Sequence, residues 1–129
     1  MKKHLLMAGI IFLSAAAATA QTKTPDWKEQ TQFHGIMSRS FHPAEEGNFA
    51  PLKQKADSLV MIAKLWNASP IPLGYKAKET KETLNKLLTR CTAVQSAVKE
   101  KKPDAELKKL ITEAHETFHK IVEECTDKK

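Results

Sequence analysis

The placement of proline constrains this chain more than any other feature. Pro25, Pro43, Pro51, Pro70, Pro72 and Pro103 all sit where a helix should begin or stop, and none interrupts a long apolar-periodic stretch. Between them lie four segments whose apolar residues recur three and four apart, the repeat that lays a single stripe along a helix. The first is predicted over about 26–41, with the stripe Trp27, Thr31, His34, Met37 or Ser38, and Phe41, and with Asp26 and Glu29 spaced to cap its start. The second starts near Asn48 or Phe49, with Pro51 in its first turn, and carries Leu52, Ala56, Leu59, Ala63 and Trp66. The third, over about 76–100, carries Ala77, Thr80, Leu84, Leu87, Cys91, Val94 and Val98. The fourth opens at Pro103-Asp104, runs to about Thr126 and carries Leu107, Ile111, Ala114, Phe118, Ile121 and Cys125.

One stripe alone does not hold a helix in water, so the four segments must pack together. Short links at 42–47 and 101–103 make antiparallel hairpins of the first and last pairs. The longer link at 67–75, with Pro70, Pro72 and Gly74, has the length to cross over between them. The fold expected is all-α, an antiparallel up-down-up-down four-helix bundle. Four glycines and 6% aromatic residues argue against a many-stranded β protein. A mean hydropathy of −0.44 excludes a multi-span membrane protein.

The bundle is expected to occupy residues 21–129, behind a leader. Met1-Lys2-Lys3-His4 is basic, Leu5 to Leu13 is apolar, and Ala18-Thr19-Ala20 has the small-x-small pattern that precedes signal cleavage. Cleavage after Ala20 sends the chain to an exported, oxidising compartment, most simply a bacterial periplasm. The apolar run is too short for a lasting membrane anchor, and no cysteine near the cut offers a lipid attachment point. The formal charge of +6 is modest and spread along the chain, and two of its lysines belong to the leader. That distribution gives no case for nucleic-acid binding.

The residues that carry chemistry are histidine, methionine and cysteine set on or beside the apolar stripes. Measured from the turn at Lys102–Pro103 at ~1.5 Å per residue, Cys91 is level with His115. With Trp27 set beside Thr126, His34 is level with His119, and Met37 with Glu116. His34, Met37, Cys91, His115 and His119 thus share one layer. Buried imidazoles need partners, so this concentration points to a ligand. By the same reckoning Cys125 stands ~15 Å along the axis from Cys91's level, too far for a disulfide. Two free thiols are expected, Cys125 as a small buried hydrophobe and Cys91 with its role open.

The helix order, the Pro-rich link and the histidine-bearing fourth helix resemble the periplasmic four-helix cytochromes, namely the soluble b-type cytochromes and cytochrome c-prime. In cytochrome c-prime the haem motif is Cys-x-x-Cys-His, followed by an acid, an aromatic and Arg. Here Ile111 and Ala114 stand in the cysteine places, His115 matches the axial histidine, Glu116 and Phe118 match the acid and aromatic, and His119 replaces the Arg. Without the two cysteines, the resemblance implies noncovalent haem b, with His115 as one axial ligand and Met37 or His34 as the other. Phe41, Leu59, Leu87 and Phe118 would line the slot, and His119 with Lys120 would meet the propionates. The resemblance further implies one-electron transfer to a redox partner, and it leaves a homodimer open.

Two other readings stand beside haem. His34, Cys91, His115 and His119, with Met37, offer imidazole and sulfur to copper or zinc rather than to calcium or magnesium. A ligand-free structural or partner-binding bundle would need none of them. His115-Glu116-Thr117-Phe118-His119 also spells the zincin pattern His-Glu-x-x-His, but a protease needs a third ligand and a cleft. No Ser-His-Asp set, phosphate loop or carboxylate pair stands out, and an enzyme is not expected. His42 with Glu45 or Glu46 could hold a surface ion, although a helix stop followed by a solvated turn explains that stretch better. Gly35, beside His34, offers room for the close approach of a ligand or helix.

Overall fold

The computed structural model describes residues 26–127. The expected leader and its cleavage after Ala20 lie outside the described residues. The chain forms α1 (Lys28–Glu45), α2 (Ala50–Ala68), α3 (Ala77–Lys99) and α4 (Asp104–Glu124). Each helix packs on the next and α4 returns to α1, closing an antiparallel four-helix bundle. The 69–76 link joins two neighbouring helices, so it makes no crossover. It is tied instead to the end of α4: Lys76 N–H donates to the Cys125 carbonyl at 2.8 Å, and Asp127 N–H to the Gly74 carbonyl at 2.8 Å. No helix among the described residues is long and apolar enough to cross a membrane.

The predicted stripes of α2 and α4 are buried at every position. On α3, Thr80, Leu84, Leu87, Cys91 and Val94 are buried, while Ala77 at its start is exposed and Val98 is half-buried. α1 differs. Its inward face is Phe33, Met37, Ser40, Phe41 and Ala44, and both Thr31 and His34 are exposed. The helix is therefore rotated by about one residue from the predicted stripe. Phe33 and His34 compete for the inward direction. A buried phenylalanine contributes ~1.5–3 kcal/mol, whereas a buried imidazole without a partner costs free energy. Phe33 settles between Trp66 and Phe118, with ring centroids 5.3 Å and 5.6 Å away.

α1 also starts and ends differently. Trp27 rather than Asp26 is the N-cap residue, and no side-chain cap forms. At the other end the helix runs through His42 and Pro43 to Glu45. A proline ring fits helical φ, and the i−4 carbonyl that loses a donor belongs to the exposed Arg39. The true stop is Gly47 at φ 88°, with Gly47 N–H donating to the Ala44 carbonyl and Asn48 N–H to the Pro43 carbonyl. That pair of bonds is the Schellman closure, which needs a left-handed residue. The extra turn carries His42 and Glu45 onto the helix.

Candidate metal centre at the seam of α1 and α4

α4 sets His115 and His119 one turn apart on the side that faces α1, beside rather than within the buried stripe of Ile111, Ala114 and Phe118. The i, i+4 spacing stacks the two rings along the helix. Their Nε2 atoms lie 3.2 Å apart. Glu123, a further turn along, brings a carboxylate oxygen to 3.4 Å from Nδ1 of His119. One Nε2 donates and the other accepts, according to the tautomers of the two rings.

α1 supplies the opposite wall. The Phe41 ring lies flat on His115, with centroids 3.8 Å apart and planes 11° from parallel. His42 meets His115 edge to face at 6.2 Å, and its Nδ1 lies 3.2 Å from a Glu45 carboxylate oxygen. His34 stacks on Phe118 at 5.3 Å, beside a groove of about 340 Å³ that reaches Gln30 and Glu123. The seam is thus a strip of alternating aromatic and imidazole rings edged by carboxylates.

His115 is half-buried. Burial, with His119 and His42 adding to it, pulls its pKa down to about 4. The ring is therefore neutral at physiological pH, which is the state that offers a lone pair to a metal. Two nitrogens bound at ~2.0–2.1 Å to one tetrahedral ion stand ~3.3–3.4 Å apart. The His115–His119 spacing is close to that value, and the exposed side of the pair leaves coordination positions open.

The structure separates the residues that sequence placed in one layer. His34 meets Phe118, next to His119, and Arg90, next to Cys91, donates to the Glu113 carbonyl and the Thr117 hydroxyl on either side of His115. Facing does not hold. Met37 and Cys91 are fully buried in the core, while His34 and His119 are on the outside. Cys91 and Cys125 are both free, and burial raises the Cys91 thiol to about 12. Cys91 joins no metal group: among the described residues no three His, Cys, Asp or Glu side chains stand close enough to hold an ion as they are. A Cβ on Gly35 would meet only the Arg39 guanidinium, at 3.6 Å, so no neighbouring helix approaches closely there.

A haem between the helices needs a flat apolar slot and ligands that point into it. The residues present do not fit it. Trp66, Phe33, Met37, Leu59, Leu87 and Ile111 already occupy that space, each less than 2% exposed. Met37 points in and His34 points out, so they cannot serve one haem face in turn. The unpartnered buried side-chain atoms, Trp66 Nε1 and Thr80 Oγ1, are neither an axial ligand nor a cation for a propionate.

The sequence alone favours a solvated turn over a surface ion at His42 and Glu45, and it gives Glu123 no role. The signals were present: Glu123 follows His119 by four residues, and Glu45 follows His42 by three, both spacings that meet on a helix. No family model, no curated protein and no solved structure matches the chain. The likeness to four-helix cytochromes accordingly rests on helix layout and on the residues around His115.

Proposed function

We propose that this chain is an exported four-helix bundle that binds a divalent transition ion, zinc or copper(II), through His115 and His119. The observation that carries this reading is the 3.2 Å approach of the two Nε2 atoms on the open side of α4. Imidazole suits zinc, copper and nickel over calcium and magnesium. The sulfur atoms of Met37 and Cys91 face the core, so the soft ligands that favour copper(I) are out of reach. An ion at an exposed pair can be exchanged with a partner, which fits holding and handing on a metal better than catalysis. The charged start, apolar run and small-x-small end of the leader support a periplasmic setting. Titration of zinc and of copper(II) into the metal-free protein, followed by calorimetry, tests the reading. One ion per chain, lost in His119→Ala, is expected; no heat of binding from either ion overturns it.

A second reading, a structural bundle that works without an ion, draws on the completeness of the core, which needs no ligand to fill it. The same titration separates the two.

A further inference from the structure

The His115–His119 pair accounts for only half of the rings gathered at the seam. His42 projects from the last turn of α1 toward His115, and nothing in the packing of the bundle requires a histidine there, since its side chain is 62% exposed. Its contacts are informative. A Glu45 carboxylate oxygen is hydrogen-bonded to Nδ1 of His42 at 3.2 Å, and a Glu123 carboxylate oxygen lies 3.4 Å from Nδ1 of His119. Each ring thus has a carboxylate beside its Nδ1, with the Nε2 of His119 turned toward that of His115, and a carboxylate behind the imidazole is the usual arrangement around histidines that bind metal. Two carboxylates also oppose the charge of a divalent ion.

Resting on the metal reading above, we propose that His42 is the third ligand and that the ion joins α1 to α4, with Glu45 and Glu123 orienting His42 and His119. Two imidazoles on one tetrahedral ion have ring centres ~5 Å apart, from bonds of ~2.1 Å. His42 and His115 stand at 6.2 Å, so His42 must close by about 1 Å, a movement within reach of an exposed side chain. As they stand, no three such side chains among the described residues are close enough to hold an ion. His34 is held flat on Phe118, 7° from parallel, and takes no part. The α1–α4 seam has the sparsest packing of the four, so a ligand bridge there tightens the least supported joint of the bundle. Metal then acts as a clamp: its binding stabilises the fold, and loosening α1 releases it.

Zinc affinity, measured by competition with a chelator, and the thermal midpoint with and without zinc are compared in wild type, His42→Ala, His42→Gln, His34→Ala and His119→Ala, with helix content checked by circular dichroism. His42→Ala and His42→Gln are expected to weaken zinc binding by about 10- to 100-fold, and to lose most of the zinc-induced rise in midpoint, while His34→Ala stays within about twofold of wild type; removing a residue that orients a ligand has effects of similar size. Wild-type affinity and an undiminished midpoint rise in both His42 variants, with binding lost in His119→Ala, would overturn the clamp and leave the two-histidine site standing. No zinc binding by wild type would overturn both.

Discussion

The Phe41 ring covers one face of the His115 imidazole at a centroid distance of 3.8 Å, while His119 and His42 crowd its other sides. The ring thereby loses water on one side and meets two groups that repel its protonated form. Its pKa falls to about 4, chiefly through burial. The unfolded chain takes up this proton below pH ~6.5, and the folded chain only below ~4. Stability is unaffected above pH ~6.5 and declines as the pH falls from there toward ~4. The full linkage would be roughly 3 kcal/mol, and partial exposure with salt screening reduces it to about 1–2 kcal/mol. Denaturant unfolding in chelator at pH 7 and pH 4.5 should show this loss, and His115→Gln should show less of it. Equal pH dependence in the two proteins would place the effect elsewhere.

Lys101 ends α3 at φ 52°, with Lys101 N–H donating to the Val98 carbonyl and Lys102 N–H to the Ala97 carbonyl. Gly47 closes α1 by the same two bonds. A side chain resists the left-handed region that glycine enters freely. Lys101→Gly should raise stability by about 0.5–1 kcal/mol in urea unfolding with an unchanged slope, and a loss of stability would show that Lys101 contributes something beyond the turn.

Thr80 is fully buried on the first turn of α3, and its hydroxyl has no partner. An unpaired buried hydroxyl costs ~1–3 kcal/mol. Thr80→Val keeps the shape and removes the cost, so the thermal midpoint should rise. Phe118→Ala should fall by about 3–5 kcal/mol, because the ring packs against Phe33, Trp66 and His34 together.

Cys91 should resist alkylation at pH 8 in the folded protein and react only on unfolding, since burial holds its thiol at about 12 and closes off access. Labelling at the native rate of a free thiol would contradict the packing of α3.

The helices were legible because proline and the three-four repeat act locally. α4 shows this best: Leu107, Ile111, Ala114, Phe118, Ile121 and Cys125 are all buried as the pattern requires. The level at which His34 meets α4 was legible too, because it follows from helix rise and turn position. The face of α1 was not. Trp27, Met37 and Phe41 fit a stripe through either Phe33 or His34, and the choice is made by Trp66 and Phe118, which lie far along the chain. That one-residue rotation moves His34 out of the core and separates it from Met37. Pro43 hides the last turn of α1, because a proline near a helix end looks like the end itself. The sequence brings His115 and His119 forward as ligand candidates, offers His42 and Glu45 only for a surface ion apart from them, and leaves Glu123 out.

The most direct test of the central claim is the anomalous difference map of crystals grown with zinc, collected at the zinc edge. The account predicts one strong peak per chain, ~2.0–2.1 Å from Nε2 of both His115 and His119. A bound ion that avoids these two nitrogens, or crystals with no peak on any side chain at saturating zinc, would contradict it.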